Sequence, residues 1–279
     1  MDSGKTYLEV LNWASSFLES HGKEAAAAEY LLMERNGWTK TELVLNLSQP
    51  MPTAAEQQLS ADVLQLLVDV PPQYIIGSCE FYGARFKVTS DTLIPRPETE
   101  ELVEWILQEN GDAPLRVADI GTGTGIIAVT LKKHRPSWEV FAVDLSPAAL
   151  SVARENAETH GVDVTFLQGD TLSVLKDVCL DVIVSNPPYI SSDEWEVMDA
   201  SVRTYEPKMA LFAEDNGLAV YRKIAAQSRD VLSDSGRIYL EIGYRQGDAV
   251  GSLFQKTYPE KQVVIKQDMA GQARMVRIF

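Results

Sequence analysis

The chain has 279 residues, of which 45% are hydrophobic and 23% charged. This is the composition of an ordinary globular protein, and it excludes wholesale disorder, collagen and low-complexity fibres. Asp and Glu number 40 against 25 Lys and Arg, a net charge of −15, which opposes tight binding to a phosphate backbone because that affinity comes from cations displacing counterions.

The acidity is spread along the chain, since residues 1–85 hold 11 acids and 5 bases, and it does not form a solvating tail. Cys79 and Cys179 lie far apart, without C-x-x-C spacing, and fit thiols of a reducing compartment. The opening MDSGKTYLEV lacks the basic and apolar regions of a signal peptide. No apolar run approaches the roughly 18–20 residues that span a bilayer; the run from Leu64 to Val70 is broken by Asp69 and closed by Pro71 and Pro72. The expected location is the cytoplasm, with no membrane partner and no direct nucleic-acid partner.

Residues 1–72 read as a small helical domain. Tyr7, Val10, Leu11, Ala14, Phe17 and Leu18 recur at helical spacing. A second helix over residues 25–35 is stopped by Asn36 and Gly37. Thr39 with Glu42, and Thr53 with Glu56, each match the capping box, the second before an apolar stripe of Leu59, Val63, Leu66, Leu67 and Val70. Over residues 73–95 the β-rich pieces Tyr74-Ile-Ile, Glu80-Phe-Tyr and Arg85-Phe-Lys-Val, broken by Gly77 and Gly83, predict a β-hairpin linker.

Residues 96–279 alternate between the two periods. Strands are predicted over 115–120, 140–144, 164–167, 181–185 and 236–242, with helices over 125–133, 147–160 and 217–232. Ser146 and Pro147 make a good N-cap and first helical residue. Such alternation predicts an α/β domain with a mostly parallel sheet covered on both faces. Residues 262–265 and 275–279 supply an antiparallel closing pair.

Two features mark a nucleotide end of that sheet. Val117-Ala-Asp-Ile runs into Gly121-Thr122-Gly123-Thr124-Gly125, a glycine turn where the backbone can approach a ligand at the carboxyl ends of the strands. Its G-x-G-x-G spacing departs from the dinucleotide G-x-G-x-x-G, which argues against NAD. Asp144 ends the next strand, 23 residues beyond Gly121. A carboxylate there can accept from both hydroxyls of a ribose, each charged hydrogen bond contributing ~1.5–3 kcal/mol; without the glycine turn it would read as an ordinary strand-end or helix-capping Asp.

The most informative stretch is Asp181-Val-Ile-Val-Ser-Asn186-Pro187-Pro188-Tyr189. Two prolines stiffen the exit of the strand and remove backbone donors, so that acceptors face outward. The Asn186 side-chain carbonyl and the Pro187 backbone carbonyl can take the two N–H bonds of a planar NH₂ group, with the Tyr189 ring against its π system. An amide or aromatic amine is a poor nucleophile, because its lone pair is delocalised. Two acceptors that stabilise the positive charge developing on nitrogen lower the barrier to alkylation. A donor of the S-adenosyl-L-methionine (SAM) type fits, with its nucleoside on Asp144 and its sulfonium near the glycine turn.

Taken with Tyr74-Ile-Ile-Gly, Phe81-Tyr-Gly, Leu93-Ile-Pro-Arg-Pro-Glu-Thr-Glu100, Tyr205-Glu-Pro, Asn216-Gly-Leu, Glu241-Ile-Gly and Asp268-Met-Ala-Gly, this stretch makes nearly the whole chain resemble the PrmC/HemK protein-glutamine methyltransferases. These enzymes methylate the side-chain amide of the glutamine in the Gly-Gly-Gln motif of class-1 peptide chain release factors. The proline-flanked Arg96 segment discriminates, because Asn-Pro-Pro-Tyr alone is shared with DNA-adenine and other amino methyltransferases. The resemblance implies a Rossmann-like SAM-dependent methyltransferase fold with a small helical amino-terminal domain that grips the release factor. It implies SAM contacts at Gly121, Thr122, Gly123, Thr124, Gly125, Asp144, Asp170, Thr171 and Asn186, and S-adenosyl-L-homocysteine as product. Glutamine contacts are implied at Asn186, Pro187, Pro188 and Tyr189, the residues expected to carry catalysis, with Phe81 and Arg96 nearby. Thr171 departs from the aromatic residue that family members can carry against the adenine.

Other residues fit plainer roles. His21, His134 and His160 are scattered without ligand spacing and are expected at the surface near helix ends, so no metal site is expected. Arg96 and Glu98 fit either the site or a solvated ion pair, and Glu206 either an active-site loop contact or a turn cap. Two rival readings remain open: an amino-methyltransferase acting on a flipped DNA or RNA base, and a non-catalytic SAM-binding docking module. The chain is expected to act as a monomer.

Overall fold

A computed structural model describes residues 4–195 and 197–279. Residues 1–3, the expected start of the helical domain, and Glu196 lie outside the described residues. The chain divides into two compact units between Ser78 and Cys79, with Asp199–Tyr205 returning to the first.

The first unit is helical. It contains α1 (Tyr7–Ser20), α2 (Ala26–Asn36), α3 (Lys40–Asn46), α4 (Thr53–Leu67) and α5 (Pro72–Ile76). The stripe of α1 buries Tyr7, Val10, Leu11, Ala14 and Leu18 against Leu31, Leu32, Leu59 and Val63, while Phe17 stays half-buried at the edge. Thr6 with Glu9, and Thr39 with Glu42, form complete capping boxes at α1 and α3. Gly37, at φ +64°, closes α2.

Two expectations fail here, one through a distant partner and one through local turn chemistry. Thr53 is the first helical residue of α4 rather than its cap; Glu56 turns to Lys5, 2.6 Å away, instead of reaching back. Tyr74-Ile75-Ile76 is helical, not β, because Pro72 opens the turn and Gly77, at φ +81°, ends it. Unforeseen, too, is the fully buried Asp62 of α4, whose two carboxylate oxygens each accept from Arg35 at 2.9 Å, with Gln58 adding a third bond at 2.9 Å.

The second unit opens on the hairpin β1 (Ser78–Phe81) and β2 (Ala84–Lys87). Tyr82 and Gly83 at its tip both have positive φ, +50° and +69°, the geometry of a two-residue turn that matches strand twist. Helices α6 (Pro97–Glu109), α7 (Ile126–His134), α8 (Pro147–His160), α9 (Ala219–Ser228) and α10 (Gly247–Thr257) flank a seven-stranded sheet. Its strands are β3 (Arg116–Ile120), β4 (Glu139–Asp144), β5 (Thr165–Gln168), β6 (Leu180–Ser185), β7 (Leu232–Glu241), β8 (Val263–Gln267) and β9 (Ala273–Ile278), in the order β5-β4-β3-β6-β7-β9-β8. The first five of that order pair in parallel, whereas β9 runs antiparallel to both β7 and β8. Apolar clusters on both faces, one around Trp138 and Leu102, the other around Tyr221 and Phe254, make this the covered α/β sheet expected.

Asn156 of α8 holds the hairpin to the sheet layer. Its side chain accepts from Lys87 N–H at 2.8 Å and donates to the Lys87 and Thr124 carbonyls. The helix expected over 217–232 is shorter: α9 ends at Ser228, and Leu232 already pairs with Leu180 as the first residue of β7. Ahead of α9, Asp215, Asn216 and Gly217 take left-handed φ of +58°, +53° and +80°, which no helix tolerates.

Candidate active site

Chain order reverses on either side of β3, where β4 and β6 leave in opposite directions. Open parallel sheets bind ligands in the crevice that such a switch creates at the carboxyl ends of the strands. A cavity of about 560 Å³ lies there, within the ~300–1,000 Å³ usual for small-molecule sites. It is lined by the turn after β3, by Asp144 ending β4, by Asp170 and Thr171 after β5, and by Asn186, Pro187 and Pro188 after β6. Arg96 and Thr99, at the start of α6, line it as well.

The glycine turn is tight for two different reasons. Gly121 and Gly123 have φ of +72° and +54° but open space where a Cβ would sit, so their need is conformational. A Cβ on Gly125 would lie 2.9 Å from the Ala153 Cβ; this glycine serves the packing of α8, and it does not line the cavity.

Asp144 Oδ2 accepts from Gly123 N–H at 2.8 Å and Oδ1 from Ser146 N–H at 2.9 Å. The same carboxylate therefore shapes the turn and offers each oxygen's remaining lone pair to the cavity. Burial raises its pKa, and the Ser146 and Gly123 N–H groups oppose the rise. Beneath it Asp119, fully buried, accepts from the Thr122 hydroxyl at 2.6 Å and Ala128 N–H at 3.2 Å. Its other oxygen has no hydrogen-bond partner among the described residues, and burial pushes the carboxyl up to about 7.

Thr171 occupies a left-handed conformation, φ +54°. Its hydroxyl lies 2.7 Å from Gln227 Oε1, and Asp170 pairs with Lys223 at 2.7 Å. On the opposite wall, Arg96 is held by Glu206 at 2.6 Å, not by Glu98. Buried Glu206 uses its second oxygen on Ile94 N–H at 3.1 Å, so it fixes the proline-flanked segment and is more than a turn cap.

Asn186 is half-buried, and its Nδ2 donates to Thr99 Oγ1 at 3.1 Å. Thr99 in turn donates to Glu241 Oε2 at 2.7 Å. The carbonyl end of the Asn186 amide is thus left for the cavity. Tyr189 packs at the edge of the Tyr221 cluster, outside the cavity lining, and burial raises its phenol well above the ordinary value. Its carbonyl accepts from Gln246 Nε2 at 2.9 Å and lies 2.1 Å from where a Cβ on Gly217 would be.

Phe81 does not join the site. It is buried edge-on against Phe86, 6.1 Å between ring centroids, as part of the core under the hairpin. His21 and His134 are exposed at helix ends; His160 is half-buried against Phe86. Among the described residues no three His, Cys, Asp or Glu side chains converge as a metal site, and no helix is long and apolar enough to cross a membrane. Sequence reasoning assigned no role to Asp119, Thr99 or Gln246. Two of the three carried a signal: Thr99 lies within the Leu93–Glu100 motif, and Asp119 stands near the end of a buried strand just before the glycine turn.

The sequence profile of the methyltransferase small domain matches residues 98–204, and that of the PrmC N-terminal domain matches residues 9–77. A release factor glutamine methyltransferase of Enterococcus faecalis is 53% identical, covering 97% of this chain and 98% of the relative. One from Streptococcus pneumoniae is 46% identical, covering 91% of each. A methyltransferase from Pyrococcus furiosus shares the fold, with a TM-score of 0.55 at 18% identity over 79% of this chain and 96% of the other. By this likeness over almost its full length, the chain belongs to the release factor glutamine methyltransferase family.

Proposed function

We propose that this chain transfers the methyl group of SAM to the side-chain amide nitrogen of the glutamine in the Gly-Gly-Gln motif of class-1 peptide chain release factors. The observation that carries the reading is the meeting, in one cavity, of the glycine turn and Asp144 at one end and of Asn186-Pro187-Pro188 at the other. The relatives' names support the substrate. Residues 1–72 are the part proposed to hold the release factor, and the cytoplasm is the proposed location.

The residues present fit SAM: the open space over Gly121 and Gly123 admits a ligand against the backbone, and Asp144 offers acceptors to a ribose. Gly121, Thr122, Gly123, Thr124, Asp144, Asp170 and Thr171 are the proposed contacts; of the other two residues expected among them, Asn186 is assigned to the substrate amide and Gly125 to the packing of α8. When bound, SAM supplies an electrophilic methyl on a sulfonium and leaves as S-adenosyl-L-homocysteine. The chain's own part is to hold the nucleophile. Asn186 Oδ1 and the Pro187 carbonyl accept the two N–H bonds of the glutamine amide, which fixes the plane of the nitrogen and stabilises its growing positive charge. The nitrogen becomes acidic as it is alkylated, so one proton passes to solvent without a strong base. Orientation of this kind lowers a barrier by as much as ~7–11 kcal/mol in favourable cases.

The test is methyl transfer from labelled SAM to an intact class-1 release factor, beside the same factor with its Gly-Gly-Gln glutamine replaced and beside a pool of DNA and RNA. Label on the intact factor alone is the expected result. Label on nucleic acid alone would assign the chemistry to a base, and SAM binding without transfer would leave a docking module.

A further inference from the structure

We propose that Thr99 and Glu241 are positioning residues that fix which end of the Asn186 amide faces the reacting nitrogen. The inference rests on the methyl-transfer reading above and adds to it two residues that touch neither substrate nor cofactor in that scheme. Asn186 is useful only in one of its two orientations. With its carbonyl toward the cavity it accepts from the substrate amide; turned over, it would present an NH₂ group to another NH₂ group and repel the nucleophile. The amide is nearly symmetric in shape, so sterics do not choose between the two.

The choice is made by polarity. Glu241 is almost wholly buried at the end of β7, 1% exposed, and when ionised its carboxylate has acceptors only. Thr99, equally buried at 1% exposed, must therefore spend its single hydroxyl proton on Glu241 Oε2, at 2.7 Å. What remains on Thr99 Oγ1 is lone pairs, and these accept from Asn186 Nδ2 at 3.1 Å. A charge at the bottom of the chain thus dictates the direction of each bond up to the cavity. The Tyr221 hydroxyl donates to the Glu241 backbone carbonyl at 2.7 Å and fixes the strand end that carries the carboxylate.

The carboxyl is pushed up to about 7 by burial, against the Thr99 hydrogen bond and the charge of Arg274. Glu98 pushes it up and Arg96 down, and the Tyr189 and Tyr221 phenols face it too. Polarity is therefore enforced most fully one to two pH units above that value, and the test belongs there.

The experiment compares Thr99→Val, Thr99→Ser and Glu241→Gln. Valine keeps the shape of threonine and removes both bonds; serine keeps both; glutamine can meet Thr99 with either a donor or an acceptor. With release factor as substrate, Thr99→Val is expected to lower kcat about 10²-fold, the scale of a misplaced reacting group. SAM affinity should stay within about twofold, because no SAM contact is changed. Thr99→Ser should recover most of the rate and Glu241→Gln should fall between the two. Thr99→Val with a near-normal kcat, or Thr99→Ser as poor as Thr99→Val, would overturn the proposal. A readout independent of the substrate is the NMR signal of the Asn186 side-chain NH₂ in protein labelled with ¹⁵N at asparagine, identified by its absence from Asn186→Asp. One of its two protons should be protected from exchange in the wild type and in Thr99→Ser but not in Thr99→Val. If the wild type methylated no release factor, the substrate reading would fail while this signal still decided the role of Thr99; equal exchange in all three proteins would overturn the proposal.

Discussion

Replacing Asn186 by alanine removes the side-chain acceptor proposed to hold the substrate nitrogen, and the surroundings of Asn186 bear on the size of the effect. The lost group is an uncharged acceptor facing a charge that develops only in the transition state. Comparable preorganised groups contribute ~2.7–4 kcal/mol to the barrier, or ~10²–10³ in kcat. The cost to the fold is smaller. Among the described residues the Asn186 side chain bonds to Thr99, and because Asn186 is half-buried water can reach the vacated position, so about 1 kcal/mol of stability is at stake. SAM binding should change little, since the cavity's glycine turn and Asp144 are untouched. The assay is steady-state methyl transfer to a release factor, with SAM affinity by calorimetry and stability by urea denaturation on the same preparation. A kcat within about fivefold of wild type would take Asn186 out of the chemistry. So would a loss of SAM affinity that matched the loss of kcat, because Asn186 would then be acting on the cofactor and not on the nucleophile.

Three further outcomes are expected. Asp144→Ala should weaken SAM binding at least tenfold by calorimetry, from the loss of charged hydrogen bonds of ~1.5–3 kcal/mol each; unchanged affinity would remove Asp144 from the site. Asp119 rises from 3.8 to about 7 on folding, so the folded state holds a proton that the unfolded chain has released. Its contribution to stability is therefore full below the unfolded pKa and is lost as pH rises through the folded one. The Asp119→Asn variant should lack this loss, so that its unfolding free energy from urea titration, relative to wild type, rises by up to ~4 kcal/mol across the window; an unaltered difference would mean that Asp119 is not buried as described. Gly217→Ala forces a Cβ to within 2.1 Å of the Tyr189 carbonyl at φ +80°. It should cost ~1–3 kcal/mol in denaturant unfolding and lower kcat by displacing the Tyr189 segment; a fully active, equally stable variant would show that this contact is slack.

Much of this arrangement was legible in the residues. The glycine turn, Asp144 and Asn186-Pro187-Pro188 could be placed at one end of a parallel sheet because strand period, turn chemistry and the switch-point rule all act locally. What escaped was decided by distant partners or by competing local signals. Thr53 looked like a cap until Lys5 claimed Glu56, and Tyr74-Ile-Ile looked like a strand because three β-formers outweighed the proline and glycine that bracket a helical turn. Phe81 was expected beside the substrate by likeness to a family motif, whereas its burial against Phe86 depends on how the hairpin lies over α8. Thr99 had no sequence signal as a partner of Asn186, for the two are 87 positions apart and meet only when the first turn of α6 lies beside the residue that follows β6.

What decides the assignment is the nitrogen on which the methyl arrives. Incubating the protein with SAM and a class-1 release factor, then mapping peptides of the product by fragmentation mass spectrometry, tests it most directly. One added methyl is expected on the side-chain nitrogen of the Gly-Gly-Gln glutamine, appearing with the wild type ~10²–10³-fold faster than with Asn186→Ala. A methyl on any other residue, or a release factor left unmodified by an enzyme that binds SAM, would contradict it.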